Sequence, residues 1–343
     1  MTIKQQVVSG ITAAAAMLIL ILDTPTAMRG AQDGILLCLQ TVFPSLFPFF
    51  LLANIVVSLL SGSRFSRLFR AFGSFCRMPQ GAEGLLVIGC IGGYPVGARC
   101  IADAYSRGML SFAQANRMLG FCCNAGPSFL FGMVSALFPS RSIVWLLWAI
   151  HLICAALIGH FLPEDSDCAP VNITPTQAYT WVSSMGQALR SMASVCGWVI
   201  IFRVVLAFLD RWIFWLLPEA YAALITGILE LSNGCVQLGK IQNSGLRFAL
   251  CAAFLGWGGV CVGMQTVSAT EGLGTGLYFP AKALHGLISF VVAYLIQRFG
   301  FPAAHRFRMN GRFLWLVLAI VAGILIYSIR RKNNSRNFEK TRV

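Results

Sequence analysis

Apolar runs of bilayer-spanning length recur from one end of this chain to the other and leave no polar stretch large enough to fold in water. A helix of roughly 17 to 25 apolar residues matches the hydrocarbon core, and in that medium every backbone N–H and C=O must be paired within the protein. Candidate segments lie at about 7–22, 35–60, 84–101, 118–138, 143–162, 188–209, 219–238, 246–268, 277–297 and 313–329. The expected fold is therefore an all-α polytopic integral membrane protein with about 8–10 hydrophobic segments in one membrane domain. Only 11% of the residues are charged, against about 25% in soluble domains, so a separate water-soluble domain is excluded. The expected location is the cell membrane, crossed many times.

The formal charge of +14 does not imply a nucleic-acid partner, because the basic residues sit in short clusters between apolar runs, such as Arg64, Arg67, Arg70 and Arg77. Such clusters are what the positive-inside rule puts in cytoplasmic loops. The tail after Ile329, RRKNNSRNFEKTRV, reads as a basic cytoplasmic end. Twelve cysteines without a CxxC pair, most of them inside apolar runs, read as small buried residues. The N-terminal run lacks a persuasive cleavage site and reads as a retained first helix.

The connection PEDSDCAPVNITPTQ, Pro163 to Gln177, has three acidic residues and no Lys or Arg, which marks it as extracytoplasmic. It divides the chain into 1–34 (first helix and loop), 35–162, a linker at 163–187, 188–297, and 298–343 (last helix and tail). The two long units share a pattern: a long apolar helix, a basic or aromatic connection, then two apolar segments interrupted by glycine. Interruptions at corresponding places in two halves point to a transporter site at their interface. Counting every run as a full crossing puts 62–83 inside and 163–187 outside, but also puts Arg298, Arg306, Arg308 and Arg312 outside. At least one run is therefore re-entrant, and whether the repeats are inverted or parallel stays open.

The interruptions hold the candidate site. In IGGYPVGARC (91–100), Pro95 removes a donor and disfavours helix at Tyr94, so the segment should unwind around Gly92, Gly93, Tyr94 and Pro95, with Arg99 just beyond. Gly89, Gly93 and Gly97 also match a close-packing stripe. FCCNAGPSF (121–129) sets Asn124, Gly126, Pro127 and Ser128 inside a second run, where a following half-helix would offer free N–H groups to an anion. GILELSNGC (227–235) supplies Glu230, an ionisable residue at membrane depth, with Ser232, Asn233 and Gly234 behind it. FLGWGGVCVGMQTVS adds Gly256, Gly258, Gly259 and the polar Gln265, Thr266 and Ser268. Lys282 and Arg203 are further buried-charge candidates, as partners of Glu230 or of a solute, and Asn54 is a candidate to face the site. No HExxH, GxSxG or P-loop signature is present, and His151, His160, His285 and His305 lack metal-ligand spacing, so neither an enzyme nor a metal centre is expected.

LFPFFLLANIV, GGYPVGARCIADAYSRGMLSFAQANRMLGFCCNAGPSF, GILELSNGC and GLYFPAKALHG resemble the sporulation integral membrane proteins. That group carries the nucleoside-recognition, or Gate, domain found also in concentrative nucleoside transporters and spore maturation proteins. The resemblance covers roughly residues 35–297, with Arg99 where that family has lysine and Cys123 where it has a second asparagine. It implies two Gate-like repeats with broken or re-entrant helices, a role in endospore formation, a place in the forespore membrane, and movement of dipicolinic acid, a small planar dianion. Under it, Arg99 and Lys282 neutralise the anion, Asn124, Ser128, Ser232 and Asn233 orient it, and Glu230 pairs with a cation or carries a coupling proton. The expected partners are thus a small-molecule anion and the lipid bilayer, with no cofactor beyond a coupling H+ or Na+; a homo-oligomer is compatible with the pattern. A nucleoside or other small-metabolite permease and a non-transporting membrane scaffold are the alternatives.

Overall fold

The computed structural model describes residues 3–60, 69–163, 180–270 and 273–300. Arg64, Arg67, most of the predicted linker and the predicted segment 313–329 lie outside the described residues, as does the side chain of Asn54. Among the described residues all regular structure is helical, and five helices are long and apolar enough to cross a bilayer. The chain is an all-α, multi-pass membrane protein.

Helix α1 is Ile3–Leu22 and α2 is Thr24–Leu37. The stretch expected to be a loop before residue 35 is helical, because Asp23 caps α2 by accepting from the Thr26 N–H and Pro25 occupies its first turn, where a missing donor costs nothing. Helix α2 runs on through a π-turn, Cys38–Val42, into α3, Phe43–Leu60. Gly30, Gly34 and Cys38, four residues apart, let α2 lie against α10 (Trp181–Trp212): a Cβ on Gly30 would come within 2.8 Å of Val204 Cα, and one on Gly34 within 2.9 Å of Ile200 Cα. The two helices are antiparallel, since Thr26 is bonded to Arg211 and Cys38 reaches Cys196.

Helix α4 is Arg70–Phe75, α5 is Glu83–Gly92 and α6 is Val96–Ser106. The arms α5 and α6 form a hairpin, with Gly97 stacked on the Cα of Gly89. Ten residues of helix rise about 15 Å, half of a ~30 Å hydrocarbon core, so the hairpin enters and returns. Helices α7 (Phe112–Cys122) and α8 (Pro127–Gly132) follow as a broken crossing, and α9 (Arg141–Phe161) crosses back. The second half repeats the order. Helices α11 (Glu219–Leu229) and α12 (Leu231–Leu238) fold back on each other, Gly234 against Gly227; α13 (Ser244–Trp257) and α14 (Gly259–Ala269) make a broken crossing; α15 (Tyr278–Leu295) returns.

Buried bonds fix which ends lie together. The Arg117 guanidinium donates to the carbonyls of Cys76, Arg77, Gly159 and Leu162, gathering α4, the start of α7 and the end of α9 at the end of the bundle where Pro163 and Thr180 lie. We call this the linker end. At the opposite end Arg247 donates to Leu137 O, and Gly245 packs on Gln297. The first hairpin therefore opens from the linker end and the second from the opposite end, so the two halves run through the same elements in inverted directions. One consequence corrects the charge-based orientation: the segment Phe69–Ala82 and the ends of the 163–187 linker share one side of the bundle. The hairpin α5–α6 had been counted as a crossing, and removing that crossing brings the two sides together.

Candidate functional site

The four helix breaks meet near the middle of the bundle. In the first, Gly93 sits at φ +73°, which admits no side chain without strain, and a Cβ there would press within 3.0 Å of the Gly126 N. Gly126 in turn has Gly93 Cα at 3.0 Å from any Cβ it might carry, so the tip of the first hairpin is seated on the α7–α8 break. Gly89 and Gly97 leave the room in which the Cys122 carbonyl lies against the hairpin. The glycine stripe serves close packing and the unwound tip together.

Unwound backbone at this depth needs partners, and most of them come from side chains. Asn124 Nδ2 donates to Phe121 O at 2.8 Å. Lys282 Nζ donates to Cys123 O at 2.9 Å, and the Ala125 N–H donates to His151 Nε2 at 3.0 Å. His285 donates from Nε2 to the His151 carbonyl at 3.0 Å, which leaves its Nδ1 to accept from Lys282, also at 3.0 Å. The Lys282–His285–His151 group thus holds the break from behind. Pro127 opens α8 as the first helical residue, where it lacks only a donor that would go unused.

The second hairpin turns at Glu230. Its Oε1 accepts from Ser232 N at 2.9 Å, while its Oε2 accepts from Asn233 N at 2.6 Å and Asn233 Nδ2 at 2.7 Å, so the carboxylate caps α12. The α13–α14 break, with Gly258 and Gly259 both at φ +84°, is seated on this turn: a Cβ on Gly259 would meet Leu231 N at 3.1 Å. Tyr94 joins the two halves, its hydroxyl donating to Leu255 O at 3.3 Å.

Between the breaks lies a cavity of about 40 Å³, room for about three or four waters at the ~10–15 Å³ each needs. Its polar wall is Gly93, Tyr94, Gly126, Ser128, Glu230, Ser232 and Gln265; its apolar wall is Val42, Leu46 and Phe50 from the α2–α3 helix and Val195 and Val199 from α10. An organic solute enters only if these walls separate. Beside it, toward the opposite end, lies a second cavity of about 270 Å³ lined by Asp33, Arg203, Asp210, Thr226, Asn233, Gln237 and Lys240, among others.

Seven of the residues expected at the site face the inner cavity: Gly93, Tyr94, Gly126, Ser128, Glu230, Ser232 and Gln265. Asn233 binds Glu230 and faces the second cavity. Gly92, Pro95, Pro127 and Gly234 shape the turns; Asn124 is fully buried behind the break, with its Oδ1 unpartnered. The two expected cations stand elsewhere. Arg99 Nη1 donates to Ser191 of α10 at 2.9 Å. Lys282 is fully buried, 5.4 Å from the Tyr94 ring centroid on the far side of the break from the cavity, and is neither a snorkelling residue nor a partner of Glu230, whose oxygens are taken by its own helix. Arg203, also considered as a partner of Glu230, pairs instead with Asp33 and Asp210, both at 2.9 Å. Asp33 and the two histidines went unrecognised as contributors. An acidic residue within an apolar stretch was the available signal for Asp33, but no spacing in the sequence joins His151 to residue 125.

Among curated proteins, the chain is similar to the sporulation integral membrane protein YlbJ of Bacillus subtilis (strain 168), with 27% identity over 135 residues. That match covers 39% of this chain and 33% of the relative, so the chain spans about a third of the length of the curated protein it matches. No protein-family model matches the chain, and no solved structure does. The likeness and the apolar helices agree on an integral membrane protein similar to one named for sporulation.

Proposed function

We propose that this chain is a membrane transporter of a small solute, with dipicolinic acid during endospore formation as the first candidate and a Gate-type pair of inverted repeats as its frame. The observation that carries the reading is the convergence of three helix breaks, at Gly93–Tyr94, Gly126 and Glu230, and of the helix after the fourth on one cavity holding a carboxylate, the neutral polar side chains of Tyr94, Ser128, Ser232 and Gln265, and room for water. Unwound backbone at membrane depth is tolerated only where protein covers it or it borders a cavity, and these breaks do both.

Glu230 constrains how an anion would pass. Two unit negative charges about 5 Å apart repel by about 3 kcal/mol at an effective dielectric of ~20. Among the described residues, no cationic side chain lines the inner cavity to offset this. A dicarboxylate therefore enters together with a proton on Glu230 or with a cation such as Na+, which makes Glu230 the coupling residue. The same observation favours a second reading, a neutral solute such as a nucleoside, bound by hydrogen bonds from Ser128, Ser232, Gln265 and Glu230.

Equilibrium binding to the purified protein separates the two. Labelled dipicolinate should bind saturably, with affinity that depends on pH or Na+ and loses that dependence in Glu230→Gln; uridine binding with no dipicolinate competition would select the second reading.

A further inference from the structure

The 270 Å³ cavity is no fissure between apolar helices. Arg203 sits two turns inside Asp210 on α10, about 10 Å along the axis, and its guanidinium is held by Asp210 and by Asp33 of α2. Asp33 is nine residues into its own helix, about 14 Å from the start. Charges at that depth are expensive against lipid and are tolerated next to water. The cavity ends inward at Asn233, whose amide holds the Glu230 carboxylate of the inner cavity. The Asn233–Glu230 pair therefore stands between this cavity and the inner one.

The inverted repeat supplies the comparison. Exchanging the halves exchanges α11–α12 with α5–α6 and α2–α3 with α10, so the counterpart of this cavity lies at the linker end, between α6, the first turns of α10 and the end of α3. There the helices are joined: Arg99 Nη1 donates to Ser191 Oγ at 2.9 Å. Val195, one turn further along α10 and 5% exposed, already lines the inner cavity.

We propose that the cavity of Asp33, Arg203 and Asp210 is a water-filled entrance from the opposite end to Glu230, and that the Arg99–Ser191 contact seals the related entrance at the linker end. The structure is then one of two access states. The inference deepens the transport reading above and rests on it for its purpose, although its test needs no solute.

The test uses a membrane-impermeant methanethiosulfonate on sealed vesicles of both orientations, reading labelling above the wild-type background. Gln237→Cys, in the entrance, should label from only one face, that of the opposite end. Val195→Cys should label slowly from either face, and Arg99→Ala should speed it at least tenfold from the linker-end face. Gln237→Cys in the Arg99→Ala background reports whether the protein is still folded, and Ser191→Ala, which removes only the acceptor, serves as the milder variant. Labelling of Gln237→Cys from neither face, or equally from both, overturns the entrance. Unchanged labelling of Val195→Cys in both seal variants, with Gln237→Cys still reactive, overturns the seal. Absent transport with these labelling patterns intact would count against the transport reading alone.

Discussion

Replacing Gly93 by alanine tests whether the breaks are pressed together as described. The added methyl meets two costs. At φ +73° an L-residue is strained, by about 1–2 kcal/mol. The Cβ would also stand 3.0 Å from Gly126 N and 3.2 Å from Gly126 Cα, and that backbone cannot easily retreat because Lys282 and His151 hold Cys123 O and Ala125 N just before it. Overpacking of this kind costs about 1–3 kcal/mol, for a total of about 2–5 kcal/mol. At roughly 2 °C per kcal/mol for larger domains, thermal unfolding in nanodiscs should shift down by about 4–10 °C. Gly197→Ala, on α10 with nothing within 4 Å of its Cβ, should leave the midpoint unchanged or raise it slightly. Equal midpoints for Gly93→Ala and wild type would refute the seating of the first hairpin on the second break.

Other substitutions probe the rest of the site. Glu230→Gln keeps at most two of the three bonds to α12, because its amide must face either Ser232 N–H or the Asn233 donors; gradient-driven uptake should be lost with a stability cost of about 1–3 kcal/mol. Lys282→Met preserves the stem but leaves Cys123 O without its donor, so uptake should fall along with stability, and Lys282→Gln should recover part of the stability in the same melt. Arg117→Met removes the donor shared by the carbonyls of Cys76, Arg77, Gly159 and Leu162; a loss of at least about 1–3 kcal/mol, read by chemical unfolding, is expected, with little refolded protein recovered.

The positions of the breaks were legible in the sequence, and their roles only partly. Glycine, proline and lone polar residues inside apolar runs marked residues 93–95, 124–127, 230 and 258, and the structure unwinds at each of them. Periodicity could not say that 84–101 and 219–238 turn back, since an apolar half-helix has the same pattern whether it crosses or returns. What decides is tertiary: Gly97 packing on Gly89, and Gly234 on Gly227. The charge pattern misled the orientation for the same reason: one hairpin counted as a crossing put Pro163 and Thr180 on the side opposite to 69–82, whereas they share it. Arg99 was a candidate because it follows a break in the sequence and Lys282 because it is a charge inside an apolar run, and the resemblance gave both the role of neutralising an anion. In space each lies beside a break yet points away from the cavity, one toward α10 and the other toward Cys123 O.

The most direct test of the central claim is uptake of labelled dipicolinate into proteoliposomes containing the purified protein, with a proton or Na+ gradient imposed, beside empty liposomes and an Asn124→Leu variant. The account predicts saturable, gradient-driven uptake that the variant loses and excess uridine leaves intact. Folded protein that moves neither dipicolinate nor uridine under any gradient would contradict it.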